Sequence, residues 1–190
     1  MNIKTTKLDF KIRDGRRKIF FFIFSVLMLS PVLCLAQFFT PPKPGDMAPD
    51  FTLPTTDGKR VGLSDSWKVE KNKVTIVSFY EYTCKPCIPD LQFLQKLRTK
   101  FGNPGMKVLV VSVGSDCKKA KQILRRNNIS LPILCDNYKV VTKRYRKNPF
   151  YPENFLIDRN GIFREKITSY NKEKTEQKLE KKIREMLGKR

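Results

Sequence analysis

From position 74 the chain reads Val-Thr-Ile-Val-Ser-Phe-Tyr-Glu-Tyr-Thr-Cys-Lys-Pro-Cys, ending at Cys87. Its first seven residues are largely apolar and rich in β-branched side chains, which predicts a buried strand. The residues after the pair, 90–97, have the pattern of a helix. A helix that begins at a Cys-x-x-Cys pair places unpaired backbone N–H groups and the positive end of its dipole beside the first sulfur, which stabilises a thiolate. The spacing lets Cys87 close a disulfide with Cys84, so the stretch predicts a redox-active dithiol.

The first 36 residues are predicted to be a signal peptide or a membrane anchor. Residues 1–18 carry seven basic and two acidic side chains, and an uncharged apolar run follows over 19–36. A basic flank before an apolar run is typical of an export segment whose basic side stays in the cytoplasm. Residues 34–36 are compatible with cleavage, whereas the eighteen-residue run approaches the length of a membrane-spanning helix. Both outcomes place the rest of the chain outside the cytoplasm.

Charge and cysteine usage narrow the chemistry of the remaining residues. The chain has 190 residues, a net charge of +21 and no histidine. Its basic residues are scattered rather than clustered in a nucleic-acid-binding motif, so a basic solvated surface is favoured over nucleic-acid binding. The lack of histidine excludes Cys–His nucleophilic pairs and histidine-ligated metal centres, and we expect no metal or other cofactor. Four cysteines follow the export segment, an even number that allows two disulfides in an oxidising compartment.

The order of predicted elements favours one α/β domain with a mixed sheet. Residues 37–43 read as a proline-containing linker and 44–190 as the domain. Asp57-Gly58 predicts a hairpin turn, and 64–73 reads as a polar connection without regular structure. Helical crossovers predict parallel strands, and the turn at 158–161 predicts an antiparallel hairpin. The expected strands are 51–53, 74–80, 106–113, 131–134, 154–157 and 162–167, and the expected helices are 118–128, a brief one through 140–145, and 175–187.

Four features together resemble a known family. They are the cysteine pair at a strand–helix junction, the opening at 45–53, Asp57-Gly58, and the run at 151–161, which reads Tyr-Pro-Glu-Asn-Phe-Leu-Ile-Asp-Arg-Asn-Gly. This combination is similar to the TlpA/ResA type of thiol–disulfide oxidoreductase within the redoxin, or AhpC/TSA, superfamily. The resemblance covers 44–188 and implies a thioredoxin-like fold, with a mixed central sheet flanked by helices.

The resemblance also implies roles for individual residues. Cys84 corresponds to the exposed attacking cysteine and Cys87 to the buried resolving one. Pro152 corresponds to the cis-proline that lies against the disulfide in thioredoxin folds, with Tyr151 just before it. Asp90 occupies a position where the family commonly has glutamate, and its carboxylate could tune the pKa of the buried sulfur or carry its proton. A carboxylate that only favours the helix dipole is the alternative for Asp90.

Other positions support or modify the expected site. Lys85 and Pro86 lie inside the motif, and Lys85 should favour the Cys84 thiolate. The family usually has a tryptophan where this chain has Thr83, and Glu81 adds a negative charge nearby. Ser78 stands where thioredoxins have a buried aspartate. These departures leave dithiol chemistry intact but affect its redox tuning and choice of partner.

The remaining cysteines and tyrosines leave alternatives open. Cys117 and Cys135 are both predicted to follow strand ends, so they form either a structural disulfide or two unpaired thiols. A four-cysteine zinc site and a purely structural Cys84–Cys87 bond are the weaker alternatives, because Cys117 and Cys135 lack Cys-x-x-Cys spacing and the three-residue loop constrains the chain little. Tyr80 and Tyr82 could belong to the core or face a substrate.

The predicted function is disulfide reduction outside the cytoplasm. The expected location is the periplasm or its equivalent, with an anchor in the inner membrane if the N-terminal segment stays uncleaved. The resemblance implies disulfide-containing envelope proteins as substrates, as in cytochrome c maturation, and a membrane electron donor that restores the dithiol. A thiol peroxidase is one alternative, although the Pro-x-x-x-Thr-x-x-Cys pattern of peroxidases is missing around Cys84. A Cu(I)-binding thiol chaperone that uses Cys84 and Cys87 is the other.

Overall fold

The two most apolar runs form the centre of a five-stranded sheet. The computed structural model describes residues 40–102, 105–146, 150–168 and 171–188. The sheet order is β5-β4-β3-β6-β7, with β3 parallel to β4, β4 parallel to β5, and both β3–β6 and β6–β7 antiparallel. This arrangement confirms the predicted mixed sheet. The strands are β1 (Thr52–Pro54), β2 (Arg60–Gly62), β3 (Val74–Tyr80), β4 (Met106–Val113), β5 (Ile133–Asp136), β6 (Glu153–Asp158) and β7 (Phe163–Thr168).

In the described residues five helices accompany the sheet, and their apolar stripes explain where they pack. The last helix buries Leu179, Ile183 and Leu187 at the four-residue spacing seen in the sequence. Its N-cap, Asn171, accepts a hydrogen bond from the backbone N–H of Lys174 at 3.1 Å, which satisfies one donor of the first turn. The helices are α1 (Asp65–Lys68), α2 (Cys87–Phe101), α3 (Cys117–Arg126), α4 (Val140–Tyr145) and α5 (Lys172–Leu187).

Two hydrophobic clusters cover the two faces of the sheet. Alternate residues of β3 divide between them: Ile76 and Tyr80 pack with α2 and α5, and Val77 and Phe79 pack on the other face with Tyr145 of α4. Every residue of β3 is buried, as expected for a central strand covered on both sides.

Three sequence expectations differ from the structure. The segment 64–73, expected to lack regular structure, contains α1, and Ser66 and Asn72 are buried there, with the Asn72 amide donating to the Ser66 carbonyl at 3.1 Å. Polar residues made this segment resemble a solvated loop. The fifth strand begins at Ile133 rather than at residue 131. The helix expected over 118–128 spans Cys117–Arg126 instead.

The predicted signal peptide or anchor, 1–36, lies outside the described residues. Within the ranges that are described, no helix is long and apolar enough to cross a membrane. The described chain joins the sheet at Gly45, whose backbone N–H donates to the carbonyl of Phe163 at 2.8 Å.

Candidate redox site

The cysteine pair lies in the turn that leads from β3 into α2. The N–H of Cys84 donates to the carbonyl of Glu81 at 2.9 Å, and the N–H of Cys87 donates to the carbonyl of Cys84 at 3.3 Å. Cys87 is the first residue of α2, so the pair sits at the N-terminus of a fifteen-residue helix. The two sulfurs are bonded, with an S–S distance of 2.00 Å and a Cα–Cα distance of 5.4 Å. This is the junction that the sequence pattern predicted.

The two cysteines differ in accessibility. Cys87 is fully buried, whereas Cys84 is only partly buried and Lys85 and Pro86 are exposed. Pro86 is the N-cap of α2 and makes no side-chain capping hydrogen bond. The positive end of the helix dipole therefore lies at the pair, which favours a thiolate there. An external disulfide can reach Cys84 but not Cys87.

Asp90 is a fully buried carboxyl one helical turn after Cys87. Residues three apart on a helix share a face, which puts Asp90 on the side of α2 that carries the buried sulfur. Burial raises the pKa of Asp90 to about 7, hydrogen bonds from Asn154 lower it, and the charge of Glu176 raises it. Burial favours the neutral acid, so Asp90 differs from an exposed carboxylate that only favours the helix dipole. Its pKa suits proton exchange near neutrality.

Asn154 is a buried polar residue that sequence reasoning missed. Its side-chain amide donates to both oxygens of Asp90 at 3.0 Å, and its backbone is paired with Ser78 of β3. Ser78 is also fully buried, so the position that holds aspartate in thioredoxins is here a buried hydroxyl on the strand next to Asn154. An asparagine within an otherwise apolar strand pattern was the available signal.

The predicted cis-proline position does contain a cis peptide bond, between Tyr151 and Pro152. Because β6 runs antiparallel to β3, its first residue, Glu153, pairs with Phe79 near the end of β3. The loop before β6 and the turn after β3 therefore lie at the same edge of the sheet. Pro152 is buried and Tyr151 is partly buried, packing against both hydrophobic clusters.

Arg146 binds three groups of this loop, and sequence reasoning missed it as well. Its Nε lies 2.7 Å from Oε2 of Glu153, its NH2 group donates to the carbonyl of Phe150 at 2.8 Å, and its guanidinium stacks on the Tyr151 ring, 4.1 Å from the centroid. Arg146 and Glu153 are only 5% and 3% exposed. A buried arginine thus connects the end of α4 to both sides of the cis-proline. Nothing in the basic composition of the chain singled it out.

The start of α4 is held by another buried carboxylate. Asp136, at the end of β5, accepts hydrogen bonds from the backbone N–H of Thr142 at 2.7 Å and from its hydroxyl at 2.6 Å. The phenolic oxygen of Tyr145 donates to the carbonyl of Pro49 at 2.7 Å. The short helix is therefore fixed along its whole length, which gives Arg146 a rigid support.

The other two cysteines also form a disulfide in the structure. Cys117 opens α3 and Cys135 lies in β5, with an S–S distance of 1.96 Å and a Cα–Cα distance of 5.6 Å. Both are buried. In the described part of the chain, no three His, Cys, Asp or Glu side chains are placed to hold a metal ion.

The aromatic and acidic residues before the pair divide between core and surface. Tyr80 is fully buried, and burial raises its pKa to about 12. Tyr82 is partly buried, and the ammonium of Lys119 lies 5.5 Å from its ring centroid. Glu81 is partly buried, and its charge is among the groups that raise the pKa of Tyr151. Thr83, where the family usually has tryptophan, is exposed.

The mixed sheet, the Cys-x-x-Cys disulfide at a helix start and the cis-proline at the same sheet edge define the thioredoxin-like class of proteins. Residues 44–166 match the AhpC/TSA family, and the chain belongs to that family. The enzyme named thiol-disulfide oxidoreductase ResA from Geobacillus thermodenitrificans is 31% identical over 137 residues, which cover 72% of this chain and 76% of that protein. The ResA of Bacillus subtilis is 28% identical over 117 residues, 62% of this chain and 63% of that protein.

Solved structures show the same fold. A structure assigned as the thiol:disulfide interchange protein DsbE from Chlorobium tepidum superposes with a TM-score of 0.68 at 26% identity, covering 76% of this chain and 98% of that one. The thioredoxin domain of a Bacteroides vulgatus thiol-disulfide oxidoreductase has a TM-score of 0.63 at 21% identity, over 75% of this chain and 99% of that one. This chain is therefore a thiol–disulfide oxidoreductase of the ResA and DsbE type.

Proposed function

We propose that this oxidoreductase works outside the cytoplasm, where Cys84 and Cys87 reduce disulfides of envelope proteins, as in cytochrome c maturation. The observation that carries the proposal is the asymmetry of the pair. An accessible sulfur lies at a helix N-terminus, and a fully buried sulfur is followed one turn later by a carboxyl with a pKa of about 7. A bond that served only to stabilise the fold would need neither feature.

The expected reaction proceeds in two exchanges. The Cys84 thiolate attacks one sulfur of the substrate disulfide, that bond breaks, and the departing substrate sulfur takes up a proton. Cys87 then loses its proton, with Asp90 as the proposed acceptor, and attacks the Cys84 sulfur of the mixed disulfide. The second substrate sulfur leaves as a thiol, and the protein retains the Cys84–Cys87 disulfide. Two electrons have passed to the substrate, and an electron donor in the membrane must return two to the protein.

The shape of the site favours a protein substrate. Pockets of about 590 Å³ and 670 Å³ are lined by residues of the α3–β5 region and of α5, respectively, and neither includes Cys84 or Cys87. Cys84 is partly exposed at the surface of the domain. A surface site can accept a cysteine on a partner protein, as the first exchange requires.

Trapping of mixed disulfides tests the function directly. In a Cys87→Ala variant the second exchange cannot occur, so substrates should remain bonded to Cys84 and be released by dithiothreitol. The matched control, Cys84→Ala/Cys87→Ala, should retain none of them. Failure of Cys87→Ala to retain any protein in its native host would count against the proposal. A measured Cys84–Cys87 potential near the oxidising end of known dithiol proteins would instead indicate an oxidase.

Cell fractionation of the full chain tests the location. Export followed by cleavage predicts a soluble protein outside the cytoplasm whose mass lacks 1–36, and anchoring predicts a full-length protein in the inner-membrane fraction. A full-length protein in the cytoplasm would contradict the proposal. Purified protein assayed for peroxide consumption and for Cu(I) retained per reduced dithiol would reveal the two alternative functions, which no described contact favours.

A further inference from the structure

The loop before the cis-proline exposes a large apolar side chain at the end of the sheet that carries the redox pair. Phe150 is 68% exposed, although it is next to the partly buried Tyr151. Five large hydrophobic residues are exposed in the described part of the chain, and three of them fall within 138–150, the stretch that joins β5 to the cis-proline. The three are Tyr138, Val140 and Phe150.

Arg146 holds the backbone of Phe150. Its carbonyl accepts the hydrogen bond from Arg146, and the same guanidinium stacks on Tyr151 and pairs with Glu153. Arg146 itself ends a helix that Asp136 holds at its start. An apolar side chain on a fixed backbone loses little conformational freedom when a partner covers it, which favours binding.

Lys85 adds charge to the same edge of the sheet. It is exposed beside Cys84, and within the described residues it is in no ion pair with a carboxylate. Glu81, on the same turn, is the acidic residue nearest to Lys85 in the sequence, and it is partly buried. An ammonium beside the accessible sulfur favours an acidic side chain on whatever brings its disulfide there.

We propose that Phe150, positioned by Arg146, and Lys85 form a docking surface for the substrate, and that they select a disulfide-bearing protein segment with an apolar and an acidic side chain next to its cysteine. The proposal rests on the proposed reduction of protein disulfides and names the class of substrate. Arg146 acts as a positioning residue, because it contacts the loop and not the reacting sulfurs.

Disulfide-linked peptide dimers provide the test. Each of three peptides carries one sequence, Leu-Cys-Asp, Ser-Cys-Asp or Leu-Cys-Lys. The rate at which the reduced protein reduces each dimer is divided by the rate at which dithiothreitol reduces the same dimer. This ratio removes differences in the intrinsic reactivity of the peptide disulfides. The wild-type protein should reduce the Leu-Cys-Asp dimer about tenfold faster than the Ser-Cys-Asp dimer, the effect of partly covering one apolar side chain. It should also prefer Asp to Lys, and this preference should weaken as salt is added.

Variants then locate the selection. Phe150→Ser should reduce the leucine-to-serine ratio to about twofold or less. Val69→Ser, which removes an apolar side chain that is 70% exposed near α1, should leave the ratio at the wild-type value. Lys85→Gln should remove the Asp preference, and Arg146→Lys should lower the leucine-to-serine ratio although Phe150 is still present.

The outcomes separate the two proposals. If the wild-type protein fails to reduce hydroxyethyl disulfide as well as all three peptides, the proposed function and the docking surface both fail. If it reduces the peptides but Phe150→Ser keeps the wild-type leucine-to-serine ratio, the function stands and the docking surface is wrong. Phe150 is an exposed side chain, so its replacement tests docking even if Arg146→Lys does not fold.

Discussion

The side-chain amide of Asn154 donates hydrogen bonds to both oxygens of Asp90, each at 3.0 Å, within the core below the cysteine pair. The two residues are 64 positions apart, on β6 and α2. Burial raises the pKa of Asp90 and the amide lowers it, and the balance lies at about 7. The protonation of Asp90 is therefore set by its burial and adjusted by a contact between α2 and β6, and it can be tested through stability and through kinetics.

Replacing Asp90 with asparagine should change how stability depends on pH. The folded pKa is about 7 and the ordinary value is 3.8, so Asp90 favours folding most below about pH 4, and this contribution is lost as pH rises through 7. Relative to wild type, Asp90→Asn should gain on the order of 4 kcal/mol between about pH 4 and pH 8. Urea unfolding of the oxidised proteins across that range measures the gain. If the free energies of unfolding of wild type and Asp90→Asn changed in parallel with pH, Asp90 would not titrate in this way.

Replacing Asn154 with alanine should move the pH profile of the second exchange. Loss of the amide removes the hydrogen bonds that lower the pKa of Asp90, so the rise in rate should shift upward by about one pH unit. The measurement is the decay of a mixed disulfide between Cys84 and a peptide, followed as a function of pH.

The control for that experiment is Asn72→Ala. Asn72 is another buried asparagine, and it bonds to Ser66 and Glu70 instead of the redox site. Its loss should lower stability without moving the profile. A shift of equal size in both variants would mean that destabilisation, rather than the pKa of Asp90, sets the rate.

Removing the Cys117–Cys135 bond should lower stability and leave disulfide reduction in place. That bond spans 18 residues, and closing a loop of this length stabilises a fold by about 3 kcal/mol in the chain-entropy model. Cys117→Ser/Cys135→Ser should therefore lose stability of that order under non-reducing conditions. The Cys84–Cys87 bond spans only 3 residues, so Cys84→Ser/Cys87→Ser should lose less. A larger loss from the second pair would reverse the proposed structural and redox roles.

Breaking the Arg146–Glu153 pair from one side should cost more than removing it completely. Arg146→Met leaves a buried Glu153 carboxylate, and loss of one partner of a buried pair costs about 3–5 kcal/mol. Lys166, 3.4 Å from Oε1 of Glu153, offsets part of that cost. Arg146→Met/Glu153→Met should recover much of the lost stability, because neither charge remains buried. Equal instability of the single and double variants in urea would contradict this account.

The central strands and the redox junction were predictable because local pattern decides them. The run at 74–80 has no charged residue, and the cysteine pair follows it closely. One stretch of sequence therefore predicts the strand, the turn and the helix. The periodicity of 175–187 likewise indicates its buried face. The mixed character of the sheet followed from the helical crossovers and from the turn at 158–161.

The polar support of the site could not be predicted, because it depends on contacts between distant segments. Asn154 meets Asp90 only when β6 pairs with β3, and Arg146 meets Glu153 only when α4 crosses the sheet. In the sequence, Arg146 is one of 39 basic residues, most of which belong on the surface, and nothing local distinguishes it from them. Helix α1 was missed because three of its four residues are polar, although Ser66 is buried.

The difference in burial between Cys84 and Cys87 determines which sulfur an external reagent reaches first. Among the four cysteines in the described residues, Cys87, Cys117 and Cys135 are buried, and only Cys84 is partly exposed. In the reduced protein, a thiol-directed probe too large to enter the core should therefore react with Cys84 alone among these four cysteines. An adduct joined by a disulfide is then released, because Cys87 can attack the Cys84 sulfur from the core. An adduct joined by a bond that thiols do not exchange stays in place. The part of the chain that follows 1–36 can thus be labelled at one site without engineering, and the survival of the label reports whether Cys87 is able to attack.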